Sequence, residues 1–136
     1  MRVVIDTNVL ISSIFFGGSP LKLIDEIENR NYITTYVSQE IILEYQLVFR
    51  RLQKKYPNKI IDEDKINRIL DSSNLIYVSS NLQLCRDVKD NKFINCALSA
   101  KADYLITGDN DLLVLKKINN VSVITIAEFL KILSVS

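Results

Sequence analysis

Two aspartates stand just after short apolar runs that are typical of buried strands. Asp6 directly follows Val3-Val4-Ile5, and Asp109 comes two residues after the run at 104–107. In an open parallel sheet, ligands gather at the carboxyl ends of the strands. We therefore expect Asp6 and Asp109, together with the nearby Asp111, to lie at one edge of a sheet.

Two more acids fall in or beside predicted helices. Glu44 lies at the border of an apolar helical face, roughly 60° from Ile41 at about 100° per residue. Asp90 precedes an apolar helical segment, where it is a good N-cap and where the helix dipole favours an anion. Asp87 lies close to it in sequence.

A shared divalent cation would explain a cluster of these acids. Carboxylates without a basic partner repel one another, whereas Mg²⁺ and Mn²⁺ prefer oxygen ligands. A bound cation can also lower the pKa of water and stabilise charge on a phosphoryl oxygen. The candidate catalytic residues are Asp6, Glu44, Asp90 and Asp109. The candidate metal ligands are the same four residues and Asp111, whereas direct metal binding by Asp87 stays open.

Each acid also has a purely structural interpretation. Asp6, Asp109 and Asp111 are all suitable helix caps. Glu44 fits an ordinary solvated residue at an amphipathic boundary. The functional interpretation gains weight because two of the acids are expected at the same sheet edge.

The absence of histidine excludes several kinds of active site. Serine–histidine and cysteine–histidine nucleophile systems are not available, and neither are histidine-containing zinc sites. The two cysteines, Cys85 and Cys96, do not form a CxxC pair. We expect both to be buried free thiols, which suits a reducing cytoplasm.

The elements that would position the acids alternate along the chain. Apolar runs predict strands at 3–5, 32–37, 104–107 and 121–124, with a weaker one at 75–78. Amphipathic segments predict helices at 21–29, 38–55, 64–72, 91–101 and 127–133. The 136 residues, 48% of them hydrophobic, suit a single domain at 1–136. This alternation predicts a three-layer α/β/α sandwich with a central, mainly parallel sheet of about five strands.

Charge and hydropathy limit the partners. The net charge of +1 gives no general affinity for a polyanion. Arg51, Lys54 and Lys55 share a face near the end of the Glu44 helix, where they would contact RNA phosphates or simply complement the helix dipole. No apolar stretch approaches the ~20 residues of a membrane span and no signal peptide is visible, so we expect a soluble cytoplasmic protein without membrane contact.

The ordered set of motifs resembles the PIN-domain family. The matching segments are 6–10 (DTNVL), 38–45 with Glu44, 90–97 with Asp90, 107–113 (TGDNDLL) and 128–130 (EFL). The resemblance spans essentially the whole chain and is greatest to the toxin components of prokaryotic toxin–antitoxin pairs. Among these motifs, Asp6, Glu44, Asp90 and Asp109 match the family's acidic set, and Asn8 is a polar neighbour.

The resemblance implies an Mg²⁺- or Mn²⁺-dependent endoribonuclease. It implies cleavage of RNA phosphodiester bonds to 3′-hydroxyl and 5′-phosphate ends. A cognate antitoxin protein is the expected partner, and a homodimer is a further possibility. Asn8, Arg51, Lys54 and Lys55 are the candidate nucleic-acid contacts.

Three alternatives stay open at this point. A receiver-type phosphoacceptor domain also has alternating strands and an acidic pocket, but it expects adjacent acids after the first strand and a lysine after the last. A catalytically silent, protein-binding PIN module keeps the same fold, and a nuclease acting on DNA shares the same residues. The apolar segment Ile14-Phe15-Phe16 fits either the core or a partner surface.

Overall fold

Strands and helices alternate along residues 1–135, the part of the chain that the computed structural model describes. The strands are β1 (Arg2–Ile5), β2 (Thr34–Val37), β3 (Asn74–Leu75), β4 (Tyr104–Ile106), β5 (Lys117–Ile118) and β6 (Val121–Ile124). The α-helices are α1 (Thr7–Phe15), α2 (Gly18–Asn29), α3 (Gln39–Lys55), α4 (Glu63–Ser72), α5 (Asn91–Ser99), α6 (Asn110–Leu113) and α7 (Ile126–Ser134). A 3₁₀ turn, Val88–Asp90, directly precedes α5.

The strands form one six-stranded sheet in the order β3-β2-β1-β4-β6-β5. Neighbouring strands are parallel except for β5 and β6, which are antiparallel. Helices flank the sheet, so the predicted α/β/α architecture with a mainly parallel sheet is confirmed. The additional strand, β5, has only two residues and joins β6 through Asn119-Asn120, where Asn119 has a φ of 51°. Asparagine tolerates this left-handed conformation better than most residues do.

The core lies on both sides of the central strands. Val3 and Val4 of β1 are completely buried, as is Leu105 of β4. Burial of consecutive residues requires cover on both faces of the sheet, which is typical of parallel strands. Helix α5 packs against β1, β2 and β4, whereas α1 packs against α2, α3 and α4. These contacts fix the carboxyl end of β1, where Asp6 begins the first loop.

The weak strand predicted at 75–78 is mostly absent. Strand β3 ends at Leu75, and Ile76 adds one further backbone hydrogen bond, to the Val37 carbonyl at 2.8 Å. Side chains of α5 hold the chain further along. Asn91 and Asn95 accept hydrogen bonds from the backbone N–H groups of Cys85 and Leu82 at 2.9 and 2.8 Å. Ser99 accepts one from Ser79 at 3.0 Å. Side-chain oxygens four residues apart on one helix therefore hold the segment from Ser79 to Cys85.

Two helix boundaries also differ from the prediction. Helix α2 begins at Gly18, because Pro20 is compatible with the first turn and does not have to start the helix. Helix α5 ends at Ser99, and Lys101 has a left-handed φ of 51°, a conformation that often terminates helices.

Within residues 1–135, no single helix is long and apolar enough to cross a membrane. Helices α1 and α2 pass such a test of length and composition only as a pair that is bent by 102°. Both cysteines are free, but only Cys96 is fully buried, whereas Cys85 is partly exposed.

Candidate active site

The predicted sheet edge lies where the strand order reverses. Strand β1 is flanked by β2 on one side and by β4 on the other, so the connections leave it in opposite directions. Such a switch point opens a crevice at the carboxyl ends of the two strands. Asp6 and Asp109 line this crevice together with Asn8, in a cleft of about 380 Å³.

Thr107 connects the two aspartates of the crevice. Its hydroxyl donates a hydrogen bond to Asp6 Oδ2 at 2.6 Å and accepts one from the Asp109 backbone N–H at 3.0 Å. Asp6 also caps α1 by accepting a bond from the Asn8 backbone N–H at 3.0 Å. The pKa of Asp6 is raised, mainly by burial and less by the charges of Asp109 and Glu44, against the lowering effect of both hydrogen bonds. Helix capping and membership of the acidic site therefore coincide at Asp6.

Asp109 also belongs to a group of three carboxylates that lie close together. Each of Asp90, Asp109 and Asp111 offers one carboxylate oxygen, and these oxygens all lie within 4.8 Å of one another. Asp109 also caps α6 through a 2.9 Å bond from the Asp111 backbone N–H. Arg86, which is largely exposed, pairs with Asp111 at 3.1 Å. The loop after β4 and the start of α5 thus bring three acids to one point.

Asp90 does not cap α5 as predicted. Its side chain makes no capping hydrogen bond, because the 3₁₀ turn already holds the start of the helix and Asp87 caps that turn through the Lys89 backbone N–H. Asp90 Oδ2 is buried and has no hydrogen-bond partner among the described residues. Burial, the charge of Asp109 and, in the protonated form, a hydrogen bond to Asp109 raise the pKa of Asp90 to about 7.

Glu44 is not among the three clustered carboxylates, and other residues occupy both of its oxygens. Thr7 donates its hydroxyl hydrogen to Glu44 Oε2. The Lys92 ammonium contacts Glu44 Oε1 at 2.7 Å, and both side chains are largely buried. Glu44 and Asp111 therefore each have a basic partner.

A divalent cation fits the cluster of Asp90, Asp109 and Asp111. Three carboxylates within reach of one ion form the hard oxygen donor set that Mg²⁺ and Mn²⁺ prefer. The buried, unpaired Oδ2 of Asp90 is costly unless a proton or a cation satisfies it. A cation there would remove both the unpaired atom and the repulsion between Asp90 and Asp109.

The predicted basic contacts lie further along α3. Arg51, Lys54 and Lys55 are all exposed, and Lys55 lies about 16 Å from Glu44 at a rise of about 1.5 Å per residue. Asn8 is exposed at the crevice itself. In the apolar segment before α2, Phe15 is buried in the core and Phe16 is 52% exposed.

Several residues of the site were not among the sequence candidates. Thr7, Lys92 and Thr107 hold the acids, and the Tyr45 hydroxyl donates a 2.6 Å bond to the Ile5 carbonyl just before Asp6. Lys92 could have been singled out from the sequence as an unusual residue, because the helix dipole disfavours a cation in the first turn of α5. Hydroxyl groups after buried strands carry no comparable signal.

Comparison with known proteins identifies the family and supports the fold. The sequence model of the PIN domain family matches residues 2–111, so the chain belongs to that family and the predicted resemblance is confirmed. An uncharacterized protein of Methanocaldococcus jannaschii, MJ1680, is 39% identical over 132 residues, covering 89% of this chain and 83% of the relative. VapBC2 from Rickettsia felis, solved bound to a DNA fragment from its promoter, has the same fold with a TM-score of 0.58 at 16% identity. That match covers 92% of this chain and 98% of the other.

Proposed function

We propose that this PIN-domain protein is a metal-dependent endoribonuclease and the toxin of a toxin–antitoxin pair. The observation that carries the proposal is the group of Asp90, Asp109 and Asp111 at the switch point, with an unpaired buried oxygen on Asp90. Asp6 lies beside them in the crevice, and Glu44 completes the acidic set. The absence of histidine is consistent with a nuclease that relies on carboxylates.

Asp90, Asp109 and Asp111 would hold the ion, which we propose is Mg²⁺ or Mn²⁺. When bound, such an ion makes water a stronger nucleophile and stabilises the charge that develops on a phosphoryl oxygen. The choice between the two metals is open, because both accept carboxylate oxygens.

The chain's own groups would orient the reaction at the crevice. Thr107 fixes one oxygen of Asp6 and the backbone of Asp109, so neither acid has to reorganise when a substrate arrives. In the metal-free protein burial and Asp109 raise the pKa of Asp90 to about 7, so binding of the ion near neutral pH would displace any proton that Asp90 holds. In the proposed complex, Asn8 would contact the RNA at the crevice, and Arg51, Lys54 and Lys55 would bind phosphates further along the strand.

The proposed partner is an antitoxin protein. The solved structure with the same fold is a VapBC2 complex, and by analogy a second protein would bind this chain. A homodimer and a cytoplasmic location belong to the same proposal. Binding of a defined partner would be measured by co-purification with the product of an adjacent gene.

Cleavage of labelled single-stranded RNA by the purified protein tests the nuclease proposal. We expect cutting in Mn²⁺ or Mg²⁺, none in EDTA, and products with 3′-hydroxyl and 5′-phosphate ends. Asp6→Asn and Asp109→Asn should lower the rate by about a hundredfold or more, since loss of even a partner of a metal ligand costs about ten- to a hundredfold. Asp71→Asn, which removes an exposed carboxylate from α4, is the matched control and should retain the wild-type rate.

Thermal melting of each variant establishes that the fold is intact. Wild-type cutting by folded Asp6→Asn and Asp109→Asn would refute the assignment of the site. No cutting in any metal would instead favour a silent protein-binding module, and faster cutting of DNA of the same sequence would favour a deoxyribonuclease.

A further inference from the structure

An aromatic pair is exposed at the point where α1 ends. The Phe16 side chain is 52% exposed, and its ring meets the Tyr56 ring edge-on, with centroids 5.6 Å apart and planes at 88°. The core contact of this segment is made by the preceding residue, because Phe15 is buried and packs edge-on against Phe49 of α3. Phe16 therefore presents to solvent an aromatic surface that the core does not use.

Cations surround this aromatic pair. The Lys59 ammonium lies 4.7 Å from the centroid of the Phe16 ring, and the Lys55 ammonium lies 5.5 Å from that of the Tyr56 ring. Arg51 is exposed one turn before Lys55 on α3. In the described part of the chain, none of these three cations forms an ion pair with an acid. Their charges are therefore available to an anion, and we call Phe16, Tyr56, Lys55 and Lys59 the aromatic patch.

Both helices beside the acidic site lead to the aromatic patch. On α1, the exposed Asn8 lines the crevice, and Phe16 lies eight residues, or about 12 Å, further along the helix axis. On α3, Arg51 and Lys55 lie within about 20° of Glu44 around the helix, at about 100° per residue. Phosphates of one stacked strand are about 3.4 Å apart, so about four nucleotides span the distance from the crevice to the patch.

An aromatic surface among unpaired cations has the chemistry that binds a single nucleic-acid strand. In such sites the cations hold phosphates while successive bases stack on the rings. A cation–π contact at an exposed ring is weak, so a base can replace the Lys59 ammonium, which then stays available for a phosphate. A duplex does not bind in this way, because neighbouring base pairs cover the faces of its bases.

We propose that Phe16 and Tyr56 stack unpaired bases of the RNA about four nucleotides from the phosphodiester at the crevice. Lys55 and Lys59 bind the phosphates beside these bases. The inference rests on the proposed ribonuclease function. It adds that the substrate is single-stranded over the stretch between the crevice and the aromatic patch.

A fluorescent probe at position 16 tests the stacking directly. The chain contains no tryptophan, so Phe16→Trp introduces a single indole. The full chain in EDTA, which prevents the proposed cleavage, would be titrated with an adenosine-rich RNA of about 12 nucleotides and with the corresponding duplex. We expect the single strand to quench the indole strongly and the duplex to leave it nearly unchanged. Tyr77→Trp, at an aromatic residue that is 89% exposed outside the patch, is the matched control and should show no quenching.

Phe16→Leu measures what the ring contributes, because it keeps an apolar side chain without a stacking surface. Fluorescence anisotropy should show about tenfold weaker binding of the single strand and an unchanged Kd for the duplex, whereas Tyr77→Leu should bind as the wild type does. The slope of log K against log salt should stay the same in Phe16→Leu, since no phosphate contact is lost. The slope should fall by about 1.4 in Lys55→Gln with Lys59→Gln.

Several results would overturn the proposal. These are wild-type affinity of folded Phe16→Leu for the single strand, equal losses for strand and duplex, and an unquenched indole at saturating RNA. Quenching by the purified product of an adjacent gene but not by RNA would assign the aromatic pair to a protein partner, and would overturn the proposal as well. If thermal melting shows that Phe16→Leu does not fold, quenching in Phe16→Trp decides the question.

Failure of the proposed function gives a different result from failure of this inference. RNA that quenches the indole but is not cleaved by the wild type in Mn²⁺ would refute the nuclease and leave the stacking site in place. Cleavage by the wild type together with an unquenched indole would refute the stacking site alone.

Discussion

Replacing Asp90 by Asn should stabilise the metal-free protein at alkaline pH. The pKa of Asp90 is raised from 3.8 to about 7, first by burial and then by Asp109, with smaller effects of Asp87 and Asp6. The folded state therefore binds the Asp90 proton more tightly than the unfolded state does. Stability consequently falls as the pH rises from about 4 to about 7, because folding must then proceed with a buried carboxylate or retain a proton. An asparagine has no charge to bury and can donate a hydrogen bond to Asp109.

The size of the effect follows from the change in pKa. About three pKa units at about 1.4 kcal/mol each give an upper limit of about 4 kcal/mol. Asp90 is partly exposed and shares its proton with Asp109, so screening and coupling reduce the effect to about 2 kcal/mol. Asp90→Asn should therefore raise the free energy of unfolding by about 2 kcal/mol at pH ~8 and by less at pH ~5.

Urea unfolding in EDTA at these two pH values measures the difference. Asp71→Asn on α4 is the control, and its stability relative to the wild type should not change between them. Equal stability of Asp90→Asn and the wild type at pH ~8 would refute the assignment of a buried, strained carboxylate at this position. The same result would also weaken the proposal that a cation binds at Asp90.

Three further predictions concern other parts of the account. Tyr45→Phe should lower the free energy of unfolding by about 1–3 kcal/mol in urea, since the buried Ile5 carbonyl loses its 2.6 Å bond, and no loss would contradict that role. Saturating Mn²⁺ should raise the melting temperature of the wild type but not of Asp109→Asn, and equal shifts would place the ion elsewhere. Lys54→Glu with Lys55→Glu should reduce RNA affinity and the salt dependence of binding, measured by fluorescence anisotropy, whereas wild-type binding would refute the basic contact.

The position of the main acids could be predicted from local sequence. Asp6 and Asp109 follow β-branched runs that are buried on both faces, and such runs leave few alternatives to a parallel strand. The carboxyl ends of neighbouring parallel strands then bring the acids to one edge. No side-chain contact has to be known for this prediction, and the sheet order confirms that β1 and β4 are neighbours.

Predictions of one helix cap, of a distant ion pair and of a very short strand were less successful. Asp90 was expected to cap α5, but the preceding 3₁₀ turn leaves its carboxylate facing Asp109 instead. The ion pair of Lys92 and Glu44 joins residues that are 48 positions apart, and no local pattern reports such a pair. The short β5 was missed because a two-residue strand has too little periodicity to be recognised.

Reversible metal dependence of RNA cleavage tests the central claim most directly. The wild-type protein would be stripped with EDTA, assayed on 5′-labelled single-stranded RNA, and assayed again after addition of excess Mn²⁺, beside Asp109→Asn treated in the same way. The account predicts no cleavage in EDTA, full recovery with Mn²⁺ in the wild type and no recovery in the variant. Cleavage that persists in EDTA, or that recovers equally in Asp109→Asn, would contradict a metal-dependent nuclease centre at these carboxylates.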